Sequence, residues 1–244
     1  MVAVIVAWQL YEITDSAFLL GMIGLVQFVP TALLIFIAGH AADRYDRKRV
    51  VQLCQFGEAV GAAFLAWGSI GGWLTVEEMF AVVLVFGIGT AFSGPASAAL
   101  MTGVSPDGLR QKATALATGI FEAATIAGPA LGGLVYGISP GVGYIAIAVL
   151  WSLGGLFMGA IRLERPVAVE RPAPTPGAIF AGWTFVRRNP AILGAISLDL
   201  FTVLLGGATT LLPIYARDIL HTDAWGMGVL RAVKHAFDPD DRLG

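Results

Sequence analysis

The run Gly39-His40-Ala41-Ala42-Asp43-Arg44-Tyr45-Asp46-Arg47-Lys48-Arg49 sets four basic and two acidic side chains between two long apolar stretches. Lys and Arg resist being carried across a bilayer, so a cluster in a short loop keeps that loop on the cytoplasmic side. The flanking apolar stretches, 18–41 and 50–70, each have about the twenty residues that a helix needs to cross roughly 30 Å of hydrocarbon. The charged run therefore reads as a tight cytoplasmic turn between two membrane helices, and the rest of the chain can be counted outward from it.

Composition points the same way. Apolar residues make up 57% of the chain and charged residues 13%, against about a quarter charged in an ordinary soluble domain. The net charge of -2 and the pI near 5.9 offer no basic field for nucleic acid. A single cysteine, Cys54, excludes an internal disulfide framework and a cysteine-rich zinc site, and reads as a small apolar filler in a helix. The opening Met1-Val2-Ala3-Val4-Ile5-Val6 lacks the basic residue that precedes the apolar core of a secretory leader, and the chain starts abruptly.

Further apolar runs of membrane-crossing length fall at 79–101, 113–136, 142–161 and 191–213. The first segment, 1–13, is too short to span alone and reads as the outer half of a first helix, with a short interfacial helix as the alternative. Of the 15 basic residues, four lie in the loop 44–49, two at Arg110 and Lys112, and five between Arg162 and Arg188; the alternating turns at 14–16, 71–78 and 137–141 have none. Eleven against zero over alternating loops is a strong positive-inside pattern, and it predicts a multi-pass protein of the inner (plasma) membrane with its charged loops cytoplasmic. Between 164 and 177, Pro166, Pro172, Pro174 and Pro176 alternate with charges, which favours an extended linker. The stretch 178–188 reads as an amphipathic surface helix with Trp183 and Phe185 toward lipid. Trp67, Trp73 and Trp151 are expected in an interfacial aromatic belt.

The phrase Gly39-x-x-x-Asp43-Arg44-x-x-Arg47-Lys48 resembles the loop between the second and third helices of major facilitator superfamily transporters, with Asp46 where that family usually has glycine. A second phrase, Gly128-Pro129-Ala130-Leu131-Gly132-Gly133, resembles the core of that family's antiporter motif, associated with export, with Ala124 at its upstream small-residue position; it also serves as a generic packing motif. The wording around Gln9, Gln27, 43–49 and 128–133 is similar to the branch with the enterobactin exporter and macrolide-type efflux proteins. The resemblance covers about 1–231.

It implies an all-α membrane protein: an N-terminal six-helix bundle with a clipped first helix over 1–161, a cytoplasmic linker over 162–190, the seventh helix over 191–213, and a polar tail over 214–244. It implies that Gly39, Asp43, Arg44, Arg47 and Lys48 form a gating loop that holds the cytoplasmic ends of two halves together; otherwise the basic residues only set topology and meet anionic lipid. The implied activity is proton-driven export of a small amphipathic molecule, a drug or siderophore, held near the membrane midplane.

Ionisable groups inside spans are costly to bury and are functional candidates by default. Glu122, Asp199 and Glu58 are such groups, able to take up a proton or bind substrate, or merely to pack while hydrogen-bonded. Gln27 and Gln55 are candidates to hydrogen-bond a substrate, although such residues more often bridge helices. His40 reads as a helix-end residue facing water.

No phosphate-binding Gly-x-x-x-x-Gly-Lys-Ser/Thr loop, His-Glu-x-x-His or Gly-x-Ser-x-Gly occurs, and Gly87-Ile88-Gly89 breaks off at Phe92 inside a span. Catalysis, a metal and a cofactor are therefore not expected; the expected partners are the lipid bilayer, a small-molecule substrate and protons. Two alternatives stay open: a membrane-inserted chain that transports nothing, and a half-carrier that self-associates as a homodimer. The ending 233–244 also faintly resembles the C-terminus of FAD-linked oxidases of the glycolate oxidase type, a resemblance of only a dozen residues.

Overall fold

Six helices account for the body of the protein in the computed structural model, which describes residues 1–104 and 109–161 throughout and scattered residues between 187 and 233. They are α1 (Val2–Thr14), α2 (Ala17–Arg44), α3 (Arg47–Gly71), α4 (Val76–Val104), α5 (Arg110–Tyr136) and α6 (Pro140–Ala160). Five of them carry apolar stretches long enough to cross a bilayer: Ala17–Leu34, Arg47–Gly71, Val76–Met101, Gln111–Tyr136 and Pro140–Ala160. In hydrocarbon every backbone polar group must be satisfied within its own segment, which is why apolar runs of this length become helices.

The turns are encoded locally. Ser16 caps α2 by accepting from the backbone N–H of Leu19. Asp46 does the same for α3, its Oδ1 accepting from the N–H of Lys48 at 3.0 Å. Its φ of -59° makes no demand for glycine, so a capping carboxylate takes the place of the usual residue. Gly72, at φ 69°, ends α3 in the left-handed conformation that glycine adopts without penalty. Pro140 starts α6 at a position where its missing N–H is not needed.

Packing runs α2 on α4, α4 on α3 and α3 on α6, while α1 touches α2, α4, α5 and α6. Small residues set the close approaches. A Cβ on Gly87 would stand 2.5 Å from the Gln27 carbonyl oxygen, so α2 and α4 meet backbone to backbone there. Gly61 faces Val82 and Phe86, Gly155 faces the Phe56 ring, and Gly143 faces Ile5. The core is built from Val4, Ile5, Leu10, Leu65, Met79, Phe86 and Tyr144 among others.

The structure sets aside one alternative, the interfacial helix, and corrects one expectation. The first segment is no interfacial helix: Val4, Ile5 and Leu10 are fully buried, and α1 sits inside the bundle instead of lying on it. Trp151 is no belt residue: it lies midway along α6 with its ring centroid 5.1 Å from that of Phe86, packed against the core. Both differ because α1 and the inner face of α6 are covered by neighbouring helices, which a hydropathy count along the chain does not register. Residues 162–186 of the 162–190 linker and 234–244 of the 214–244 tail lie outside the described residues, as does most of 191–213.

Candidate functional site

At the loop end of the bundle, Arg47 and Lys48 act as braces. Arg47 donates from Nε to the Ala42 carbonyl at 3.1 Å and from Nη1 to the Ala99 carbonyl at 3.2 Å, tying the end of α2 to α4. Lys48 donates from Nζ to the carbonyls of Gly159 and Ile161 at 2.8 and 2.6 Å. Those carbonyls terminate α6, where a cation satisfies unpaired acceptors and the negative end of the helix dipole. Arg49 lies 3.7 Å from the Asp46 carboxylate in an exposed pair, and Arg44 is exposed at the end of α2. Gly39 has open space around its α-carbon, and the Asp43 and His40 side chains lie outside the described residues.

The glycines of α5 form a seat for other backbones. A Cβ on Gly132 would stand 2.9 Å from the Met1 carbonyl oxygen, and one on Gly128 3.2 Å from the Met1 nitrogen. On the same helix, Gly133 and the carbonyl of Pro129 meet Gly228, whose own Cβ would stand 2.6 Å from that carbonyl. The phrase thus receives two separate segments of chain, on the pattern by which small residues admit close helix contact. Beside it a cleft of about 300 Å³ is lined by Met1, Ala3, Val4, Phe121, Ala124, Thr125 and Pro129.

Of the carboxyl candidates, Glu58 is the buried one, 7% exposed on α3. It points at α4, where Gly89 leaves the room: a Cβ there would stand 2.7 Å from Glu58 Oε1. Among the described residues it has neither a hydrogen-bond partner nor an ion-pair partner. One turn earlier, Gln55 Oε1 is buried without a hydrogen bond to any described residue, beside Gly154 of α6. Glu122 is half-buried on α5, next to the cleft-lining Phe121 but not itself lining the cleft. Gln27 contributes its backbone to the α2–α4 contact, its carbonyl accepting from Thr31 at 3.4 Å. Asp199 lies outside the described residues. Glu58 and Gln55 share α3 but face different neighbours, Gly89 of α4 and Gly154 of α6, and Glu122 and Gln27 lie on other helices.

Sequence reasoning missed a polar network at the other end of α1. Tyr144, fully buried on α6, donates to Gln9 Oε1 at 2.7 Å, and Gln9 Nε2 donates to Ser69 Oγ on α3 at 2.9 Å. Alongside, Trp8 Nε1 donates to Glu12 Oε1 at 2.7 Å, and the Tyr136 hydroxyl donates to Glu12 Oε2. The spacing of Trp8 and Glu12, one helical turn apart, was a visible signal for the second pair. Nothing in the chain announced that Ser69, Tyr136 and Tyr144 would converge on the same helix.

Membrane-length helices, small-residue seams and a buried carboxyl without a partner among the described residues are the marks of a polytopic membrane protein, and the comparisons specify its class. The Major Facilitator Superfamily sequence profile matches residues 1–233, so the chain belongs to that family of membrane transporters. It is 28% identical to the multidrug efflux pump Tap of Mycobacterium tuberculosis over 226 residues, covering 86% of this chain and 53% of the pump. It is 28% identical to macrolide efflux protein A of Streptococcus pyogenes over 166 residues, covering 68% of this chain and 39% of that protein. An uncharacterized MFS-type transporter of Bacillus subtilis, YfiS, is 24% identical over 177 residues, 68% of this chain and 40% of its own. The chain spans about half the length of the curated relatives it matches or less.

Proposed function

We propose that this chain supplies the first bundle of a proton-coupled exporter of small amphipathic molecules, working by alternating access from the plasma membrane with the Arg44–Arg49 loop on the cytoplasmic side. The observation that carries the reading is Glu58: a carboxyl at bilayer depth, 7% exposed, with no cation or donor among the described residues to hold its charge. Such a group binds and releases a proton as its surroundings change, and intramembrane carboxyls of this kind mark proton relays. Gln55, with its unmatched oxygen, offers a separate polar group on the α6 side of the same helix. The efflux names of Tap and macrolide efflux protein A support export of a drug-like molecule in preference to a siderophore. Arg47 and Lys48 are the braces of the cytoplasmic end, and Gly128, Pro129, Gly132 and Gly133 the seam along which the bundle meets its neighbours.

The test reads proton linkage directly. Purified chain in weakly buffered detergent is titrated with ethidium, an amphipathic cation, while a pH indicator follows proton release. The wild type is expected to release close to one proton per ethidium bound, and Glu58→Gln to bind ethidium with no release. Equal release from both proteins would remove Glu58 from the coupling role. Absence of ethidium binding to either would favour the reading of a membrane-inserted chain without transport.

A further inference from the structure

We propose that the cleft between α2 and α3 at the Arg44–Arg49 end of the bundle binds one anionic phospholipid, its phosphate on Arg49 and one acyl chain in the cleft. The cleft has a volume of about 450 Å³, the size of a small-molecule site. It forms because α2 and α3 part after their turn and each packs on α4 more than on the other, so that α4 becomes its floor. Tyr45, which ends α2, and Arg49, in the first turn of α3, line it at the loop end. Val50, Leu53, Cys54 and Phe92 line its apolar part. From Arg49 to Cys54 the wall of α3 runs roughly 8 Å toward the middle of the bundle.

The open side of this cleft faces hydrocarbon. Leu53, Val60 and Trp67, each one heptad from the next, are 67% to 71% exposed and form one apolar stripe along α3. On a helix of membrane-crossing length, such an exposed stripe is the face that lipid tails cover. Leu53 belongs both to the stripe and to the cleft, so a tail lying on α3 has a way in. Water is the poorer occupant, because an apolar cavity stays dry and takes up hydrocarbon instead.

Charge at the loop end selects the headgroup. Arg47 and Lys48 spend donors on backbone carbonyls of the bundle. Arg49 has an 82% exposed side chain, and its ion-pair partner among the described residues is Asp46 at 3.7 Å, too long for a hydrogen bond. That carboxylate is itself engaged, its Oδ1 accepting from the N–H of Lys48 at 3.0 Å. A guanidinium carries five N–H donors in a planar fork that matches a phosphate. The run 39–49 holds four basic against two acidic side chains, so the rim stays net positive. Tyr45 adds an exposed phenol hydroxyl across the cleft from Arg49. In the orientation proposed above, this end meets the cytoplasmic leaflet, where basic pockets between membrane helices hold anionic headgroups. The result is a seat for one lipid molecule, distinct from a diffuse attraction of the loop to an anionic surface.

This site depends neither on Glu58 nor on proton coupling, so its test needs no transport and no pH reading. Cys54 lines the cleft and is the single cysteine of the chain, which makes it the reporter. Its rate of alkylation by N-ethylmaleimide is followed for the full chain in dodecyl maltoside micelles. Dioleoyl phosphatidylglycerol, dioleoyl phosphatidylcholine or inorganic phosphate is titrated in. Phosphatidylglycerol is expected to slow the reaction saturably, by about fivefold or more, and phosphatidylcholine by no more than about twofold, as mass action requires of a selective site. Inorganic phosphate is expected to leave the rate unchanged. Arg49→Gln is expected to raise the phosphatidylglycerol needed for half protection about fivefold, the share of one basic residue in holding an anionic lipid. The same titration on Thr125→Cys in a Cys54→Ala background reads the cleft between α1 and α5, and no protection is expected there. Equal protection by phosphatidylcholine, equal protection of Thr125→Cys, or an unshifted curve in Arg49→Gln would overturn the proposal. Protection by inorganic phosphate would overturn the lipid as occupant and leave a site for the free anion. Native mass spectrometry reads the same site without the thiol: the wild type is expected to retain one phosphatidylglycerol that Arg49→Gln loses, and equal retention by both would overturn the assignment to Arg49.

Discussion

Tyr144 carries a hydroxyl into the centre of the bundle, and its only described partner is Gln9. Both side chains are buried, so removing the donor strands a carbonyl oxygen away from water. Tyr144→Phe should lower stability by about 1–3 kcal/mol, the usual range for a buried polar group left unmatched. Thermal unfolding in detergent measures the loss, and adding Gln9→Leu should recover part of it by removing the stranded group. Glu58 is the opposite case, a buried group with no described partner to lose, which is why Glu58→Gln is expected to alter proton release and spare the fold. The two residues were unequally visible beforehand. Glu58 is legible in the chain because a carboxyl amid apolar residues stands out, whereas Gln9 carries no such contrast in sequence. Its bonds to Ser69 and Tyr144 join positions 60 and 135 residues apart. No local pattern encodes such a pairing.

Elements were read well for a physical reason. A bilayer permits only segments that satisfy their own backbone, so span length and charge placement fix the helices almost alone. The run 50–70 became α3 (Arg47–Gly71), and 113–136 became α5 (Arg110–Tyr136). What hydropathy does not give is which helix meets which, because glycine and alanine are apolar whether they face lipid or a neighbour. Gly87 and Gly94 lie on the same helix, yet the first abuts the Gln27 carbonyl and the second has open space around it. Gly87→Val should therefore destabilise the α2–α4 contact by about 1–3 kcal/mol through overpacking. Gly94→Ala should be neutral or stabilising by about 0.5–1 kcal/mol, since alanine is the better helix former. Parallel melting curves of the two variants would show the split, and an equal response would mean that the backbone contact at Gly87 is not limiting.

For the whole molecule, the distribution of basic residues makes a prediction about orientation. Eleven Lys and Arg fall in one set of loops and none in the alternate turns. A Tyr45→Cys reporter, in the Cys54→Ala background, should react with an impermeant maleimide only when the cytoplasmic face is exposed. Replacing Arg44, Arg47, Lys48 and Arg49 together by Gln should yield a mixed population of orientations, as the positive-inside bias is weakened. In the same variant, loss of the bonds to Ala99, Gly159 and Ile161 should lower the melting temperature.

The chain by itself determined the class of protein, since apolar runs of bilayer length force helices, and the alternation of charged and uncharged loops predicts their threading. It also nominated the charged loop, the glycine-rich phrase of α5 and the intramembrane carboxyls, because those residue types are costly or unusual where they occur. Tertiary structure alone decided what each of them touches. Packing placed α1 in the core instead of at the interface, turned Arg47 and Lys48 toward helix-end carbonyls, faced Glu58 to Gly89, and brought Arg217 to Asp15 across 202 residues of chain. Such contacts depend on the shape of surfaces distant in sequence, and hydropathy and charge, summed along a chain, hold no record of that shape.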